Sequence, residues 1–184
     1  MRRRAYALLV ALALVGCRKS APDPCADAEG GAPVGPALLA FLSHSRSAHH
    51  RADVLEERND AKGAEAELDA VIHGPKPACP GAAEVREVLA DTSARLADLA
   101  SRHGDFAAAL AHVEQGLGLV PEQSYFRGHL FEVRGLVEER QSKALAGQGD
   151  AAGATRAADR ALAAFQEAMR IQSEVIEKAA PRAP

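Results

Sequence analysis

The sequence predicts an all-α fold of six helices in three antiparallel pairs. Its composition favours helices, because 47% of the 184 residues are hydrophobic while only 4% are aromatic. Alanine-rich helices pack closely, whereas sheets prefer aromatic and β-branched residues. Apolar residues recur at helical spacing, and no stretch alternates with a period of two for long enough to form a strand. The length suits one domain or a short array of repeats.

The first pair of helices is predicted to begin at Pro36, because proline is well suited to a first helical turn. The face of its first helix contains Leu38, Leu42, Ser45, Ala48, Ala52 and Leu55. A break at Asn59-Asp60 precedes a shorter helix that ends at Gly74-Pro75. The face of this shorter helix contains Ala64, Leu68, Val71 and Ile72. Residues 74–81 are rich in proline and glycine and form a linker that carries Cys79.

The other two pairs follow the same plan. The second pair is divided at His103-Gly104 and ends before Pro121. Its faces contain Val85, Val88 or Leu89, Thr92, Leu96 and Leu99, and then Phe106, Leu110, Val113 and Leu117. The third pair is divided by a glycine-rich break at Gly147, Gly149 and Gly153. Its faces contain Phe126, Leu130, Val133, Val137 and Ala144, and then Leu162, Phe165, Met169, Gln172 and Ile176.

The first 17 residues have the parts of an export signal in order. Three arginines at positions 2 to 4 precede an apolar run of 11 residues, which covers only about half of the roughly 30 Å bilayer core. The following segment, Leu14-Val15-Gly16-Cys17, resembles the lipobox of bacterial lipoproteins. The resemblance implies that residues 1–16 are a cleaved signal peptide and that Cys17 is lipidated. The alternative is a cleaved secretory signal near an ordinary cysteine.

The same resemblance implies a cellular location. Residue 18 is Arg and not the Asp that retains lipoproteins of enteric bacteria in the inner membrane. We therefore expect an outer-membrane anchor that faces the periplasm. Removal of residues 1–16 leaves 19 Lys+Arg against 25 Asp+Glu, a net charge of −6. An acidic domain has no electrostatic attraction to anionic lipid, so the acyl chains on Cys17 have to hold it at the membrane.

Cys25 and Cys79 remain once Cys17 is lipidated. Disulfides persist outside the cytoplasm, so we expect this pair to be bonded. Two free thiols or a metal pair are the alternatives, although no Cys-x-x-Cys or Cys/His spacing supports a metal. Residues 17–35 are rich in turn formers and read as a lipidated tether.

A repeat is visible in the second pair. Its residues Gly104-Asp105-Phe106-Ala107-Ala108-Ala109-Leu110, with Leu96 before them and Pro121 after them, resemble the tetratricopeptide repeat. A unit of about 34 residues would then span 90–123, and a weaker one 45–78. A third unit is matched by Ala161, Phe165, Ala168 and Ile171, after a turn enlarged by about ten residues. The resemblance implies a short tetratricopeptide-like solenoid over 36–178 with a disordered tail at 179–184. A plain alanine-rich bundle is the alternative.

The resemblance also implies a partner-binding groove lined by the first helix of each unit. Its predicted residues are Arg46, His49, Asp53, Glu56 and Glu57 in one unit, and Asp91, Ala94, Asp98, Ser101 and Arg102 in the next. Such a mostly acidic groove would prefer a basic or neutral segment of a partner. The same residues could instead form a solvated face.

The sequence contains no motif that indicates catalysis or metal binding. It lacks nucleophile, phosphate-binding and dinucleotide-binding motifs and a His-Glu-x-x-His pair. His44, His49 and His50 lack the spacing that would bring them to one point on a helix, so no metal is expected. The net charge of −3 without a basic stripe argues against a nucleic-acid partner.

We therefore expect a non-enzymatic, lipid-anchored interaction module without a cofactor, whose partner is an envelope protein or peptide. Secretin pilotins and outer-membrane assembly factors combine a lipobox with tetratricopeptide repeats. The most specific function that we expect is therefore assistance in the assembly of an envelope complex. The alternative is an envelope lipoprotein that binds a peptide or small ligand for sensing or transport.

Overall fold

The computed structural model describes residues 35–78 and 82–180, and the regular secondary structure in these two ranges is helical throughout. The helices are α1 (Pro36–Glu57), α2 (Ala61–His73), α3 (Ala83–Arg102), α4 (Phe106–Leu119), α5 (Tyr125–Gly147) and α6 (Ala151–Ala179). They form three hairpins, and each hairpin packs on the next one. The predicted all-α architecture of packed neighbouring helices is confirmed. Within the described residues, no helix is both long and apolar enough to cross a membrane.

The three hairpins are closed by the same turn. The second residue of each turn has a left-handed φ, which is 59° at Asn59, 83° at Gly104 and 84° at Gly149. Glycine and asparagine reach this conformation at the lowest cost. The next residue is an aspartate whose carboxylate accepts a hydrogen bond of 2.8–3.0 Å from a backbone N–H three residues later, at Asp60, Asp105 and Asp150. The aspartate therefore caps the second helix of its hairpin.

These turns recur at intervals of 45 residues, from Asp60 to Asp105 to Asp150. The backbone N–H of each aspartate also donates to the carbonyl five residues earlier, over 2.8–3.0 Å. The structural period is thus longer than the unit of about 34 residues that defines tetratricopeptide repeats. The extra length lies mainly in the first helices of the hairpins, which have 22, 20 and 23 residues.

The turn between α5 and α6 is not enlarged, in contrast to the expectation from the sequence. It has the same form as the other two, and Gly153, predicted to belong to the break, lies buried in the first turn of α6. The reason is local: Gly149 alone supplies the left-handed residue, and Asp150 caps the helix by accepting from the Gly153 N–H. The additional residues extend α6 to 29 residues.

The core consists of small and medium-sized side chains in two connected layers. One layer, between the first hairpin and α3, contains Ala52, Ala64, Leu68, Ile72, Leu96 and Leu99. The other, between α3, α4 and α5, contains Ala90, Ala94, Ala97, Ala109, Val113, Leu117, Val120, Leu130, Val133 and Val137. Most of the large residues in these layers belong to the helix faces predicted from the sequence.

The predicted face of α6 is wrong at Leu162, Met169 and Ile176, whereas its other two residues, Phe165 and Gln172, are partly buried. The buried residues of α6 are Ala154, Ala157, Ala161, Ala164, Ala168 and Ile171, whereas Leu162, Met169 and Ile176 are exposed. Phe165 and Gln172 lie at the edge of this contact, where Gly135 and Gly128 of α5 leave room for their side chains, so the alanine side of α6 turns to the core. A Cβ added at Gly135 would lie 2.5 Å from the ring of Phe165.

Gly116 and Gly118 of α4 provide a test of how tightly the core is packed. A Cβ added at Gly116 would lie 2.6 Å from Cδ2 of the buried Leu130 and 3.2 Å from Cβ of Ser93, whereas at Gly118 it meets no atom within 4 Å. We expect Gly116→Ala to lower the free energy of unfolding by about 1–3 kcal/mol through overpacking. Gly118→Ala should raise it by about 0.5–1 kcal/mol, because alanine favours the helix. Urea unfolding of both variants measures this, and equal effects would contradict the packing described.

Candidate functional site

Most of the residues predicted to line the groove come together on one surface. Arg46, His49, Asp53 and Glu56 follow at helical spacing along α1, and Asp91, Arg95, Asp98 and Arg102 do so along α3. Since α1 packs on α3 and α3 on α5, these stripes meet one another and Arg140 of α5. We call this surface the first-helix face.

Ion pairs connect the stripes of α1 and α3. Nη2 of Arg95 donates to Oδ1 of Asp53 over 2.6 Å and to Oε1 of Glu56 over 3.2 Å. Nη2 of Arg102 donates to the other oxygen of Glu56 over 2.5 Å, and its Nε lies 3.1 Å from Asp98. Glu56 is only 16% exposed. Two arginines of α3 thus neutralise carboxylates of α1 at the boundary between the first two hairpins.

The same contact is made one hairpin later. Nη1 of Arg140 on α5 donates to Oδ1 of Asp98 over 2.8 Å and to the Ser101 hydroxyl over 2.6 Å. Arg140 lies 45 residues after Arg95, and Asp98 lies 45 residues after Asp53. The arginine–aspartate contact therefore follows the structural period and joins each first helix to the next.

His49 lies next to these ion pairs in a half-buried position. The Thr92 hydroxyl donates to the Val88 carbonyl over 2.7 Å, so the His49 Nε2–H donates to Thr92 Oγ1 over 2.9 Å. Nδ1 lies 3.7 Å from the Asp91 carboxylate. Burial lowers the pKa of His49 below its ordinary value of 6.5, and the charge of Asp91 opposes that shift only in part. His49 is therefore mainly neutral at pH 7, with an unprotonated Nδ1 open to a proton or a donor.

A groove of about 400 Å³ runs between α1 and α3 beside His49. It is lined by Leu42, Ser45, Arg46, His49, His50, Asp53, Val88, Asp91 and Arg95. Arg46 and His50 are exposed at its edge, and Leu42 and Val88 are partly buried in it. A volume at the small end of the ligand-pocket range, with both apolar and polar walls, suits a peptide side chain or a small polar ligand.

The sequence predicts that these residues share a surface, but it predicts a mostly acidic groove there. The predicted carboxylates of Asp53, Glu56 and Asp98 accept hydrogen bonds from arginines, so the face is not an open acidic groove. Of the other predicted positions, Glu57 is exposed, whereas Ala94 and Ser101 are buried in the helix packing.

The prediction missed Arg95, Arg140 and Thr92, and also four residues that line the groove: Leu42, Ser45, His50 and Val88. The signal for Arg95 was present in the sequence. Asp91, Arg95, Asp98 and Arg102 lie on one helical stripe, and that stripe skips Ala94. Arg140 could have been found from its distance of 45 residues to Arg95 once the longer period was known.

Other predicted sites lie elsewhere. Cys17, Cys25 and Cys79 are outside the described residues. Within residues 35–78 and 82–180, no group of three or more His, Cys, Asp or Glu side chains is arranged to hold a metal ion. No protein-family model matches the chain, and neither a curated protein nor a solved structure does so.

The lowered pKa of His49 predicts how stability depends on pH. The unfolded chain takes up a proton at position 49 near pH 6.5, whereas the folded protein resists it until a lower pH, so the free energy of unfolding should fall as the pH drops below about 6.5. His49→Gln keeps a donor for Thr92 and removes the titration. Urea unfolding between about pH 7.5 and about pH 5.5 should give a smaller decrease for the variant than for the unaltered protein. Equal decreases would contradict this.

Proposed function

We propose that the protein is a lipid-anchored, non-enzymatic interaction module of the bacterial envelope that binds a segment of an envelope protein on its first-helix face. The observation that carries the binding part is the groove between α1 and α3, where the exposed side chains of Arg46 and His50 lie beside His49 and the paired ions. The anchoring part is supported by the lipobox-like segment that ends at Cys17.

The ion pairs refine the chemistry of the partner. A strongly basic segment would have to compete with Arg95, Arg102 and Arg140 for the same carboxylates. A neutral segment avoids this competition and can still form hydrogen bonds with Arg46 and His49. We therefore propose a neutral polar stretch with an apolar side chain that packs between Leu42 and Val88.

Assistance in the assembly of an envelope complex is the sharpest form of the proposal. It rests on the resemblance of the N-terminal segment to a lipobox and on the stack of helical hairpins, a combination also found in pilotins and assembly factors. The period of 45 residues differs from that of tetratricopeptide repeats, so the comparison is with the plan of these proteins rather than with their repeat family.

A second candidate function is the capture of a small ligand or free peptide by an envelope lipoprotein. The volume of about 400 Å³ between α1 and α3 favours it, because a groove of this size can accept a small molecule as well as a side chain. Bound small molecule in protein purified from membranes, with no cross-linked protein partner, would favour this candidate over the first.

The anchor is tested by Cys17→Ser. The change removes the thiol that would carry the lipid, so we expect the protein to move from the membrane fraction to the soluble fraction of bacterial cells. Cys25→Ser is the matched control and should remain with the membrane. Retention of the Cys17→Ser variant at the membrane would rule out the lipobox interpretation.

The binding face is tested by photo-cross-linking. A photo-reactive residue in place of Arg46 should capture an envelope protein, whereas one in place of Lys62, which is exposed on α2, is the control and should not.

A further inference from the structure

Leu162, Met169 and Ile176 form an apolar stripe along α6 at intervals of seven residues. Their exposed fractions are 61%, 66% and 68%. The stripe borders the contact with α5: Arg160 bonds to Glu138 of α5, Ala161 is buried, and Leu162 follows about 100° further around the helix. We call these three residues the α6 stripe.

The structural period indicates what such a surface does in this fold. Ile72 and Leu117 occupy the positions that correspond to Leu162, at intervals of 45 residues, and are only 8% and 9% exposed. Each of them belongs to a core layer that includes the first helix of the next hairpin. Leu162 has the same position in the last hairpin of the described residues. The end of a helical array is normally polar where it meets solvent, so the α6 stripe is a surface for a further helix.

We propose that this helix is α6 of a second copy, packed antiparallel across a twofold axis at Met169. The spacing supports this arrangement, because Leu162 and Ile176 are equally distant from Met169 in the sequence. A twofold axis at Met169 places Leu162 against Ile176 of the partner subunit and Met169 against Met169 of the partner subunit. The stripe is therefore complementary to itself, as an isologous interface requires.

The charges along α6 agree with the pairing. The positions between the three residues of the stripe are Phe165, Gln166, Gln172 and Ser173, which are uncharged, and Asp159, one turn before Leu162, would lie opposite Ala179 of the partner subunit. The twofold axis sets Gln166 opposite Gln172 of the partner subunit, where the two amides can exchange hydrogen bonds. Arg170, the nearest cation, is paired within its own helix with Glu167 over 2.6 Å and with Glu174. No like charges are forced together across the seam.

Other parts of the chain offer a poorer cover for the stripe. In a head-to-tail stack, α1 of another copy would contribute the exposed polar residues Ser47 and Arg51 at the positions of Thr92 and Leu96, and one large apolar residue, Val54, at the position of Leu99. Residues 1–16 are removed in the proposed function, on which this comparison rests, and the remaining residues 17–34, 79–81 and 181–184 contain a single branched aliphatic residue, Val34. A second α6 supplies three large apolar side chains at the matching interval.

Cysteine cross-linking of the full chain in bacterial cells tests the pairing and its direction. In a background with Cys25→Ser and Cys79→Ser, single variants Met169→Cys, Leu162→Cys and, as control, Ala163→Cys are oxidised and separated on a non-reducing gel. Ala163 is exposed on α6 but lies away from the stripe. A disulfide requires Cα atoms within about 7 Å, so only residues that face each other are joined. Circular dichroism of each purified variant checks that its helices are intact.

The proposal predicts that Met169→Cys shifts to a band of twice the chain mass, which reduction reverses, while Ala163→Cys stays monomeric. Leu162→Cys alone should also stay monomeric, and it should form a dimer when produced together with a tagged Ile176→Cys chain. The proposal is overturned if folded Met169→Cys gives no more dimer than the control, or if Leu162→Cys dimerises by itself, as a parallel pair would. A Met169→Cys adduct of another mass would assign the stripe to a different protein and also overturn it.

Discussion

An arginine–aspartate contact that is repeated with the period of the chain joins the first helix of each hairpin to the first helix of the next. Arg95 reaches back from α3 to Asp53 of α1, and Arg140 reaches back from α5 to Asp98 of α3. The apolar layers between hairpins are built largely of alanine and other small side chains. Such side chains pack closely, but they interlock too little to determine the register of one hairpin against the next. Charge-assisted hydrogen bonds are directional, and here they fix that register and neutralise the carboxylates of the first-helix face.

The helical architecture could be predicted from the sequence because the breaks are strong local signals. Asn59-Asp60 and Gly104-Asp105 mark turns by chemistry that acts within a few residues. The face of α6 could not be predicted in the same way. Large apolar residues normally mark the buried side of a helix, but in α6 a stripe of alanines is buried, while Leu162, Met169 and Ile176 are exposed. Both stripes follow helical spacing, and the contact with α5 decides which of them is buried.

The candidate site was predictable in its location but not in its electrostatics. Helical spacing is enough to place His49, Asp53 and Asp98 on first-helix stripes. Whether a carboxylate is free depends on its partner, and Arg95 and Arg140 lie 42 residues from the aspartates that they bind. The repeat of 45 residues contains this information, because it maps one arginine–aspartate pair onto the next. A search limited to units of about 34 residues hides that relation.

The most direct test of this account is a double-mutant cycle between Arg95 and Asp53, with the free energy of unfolding measured for Arg95→Ala, Asp53→Ala and the double variant. The account predicts a favourable coupling of about 0.5–3 kcal/mol, since each single change leaves the other partner without the contact that joins α1 to α3. The pair Arg51 and Glu67, whose arginine is 71% exposed against 29% for Arg95, is the matched control and should couple by about 0–1 kcal/mol. If the changes in the free energy of unfolding caused by Arg95→Ala and Asp53→Ala add to within about 0.3 kcal/mol, the account is contradicted.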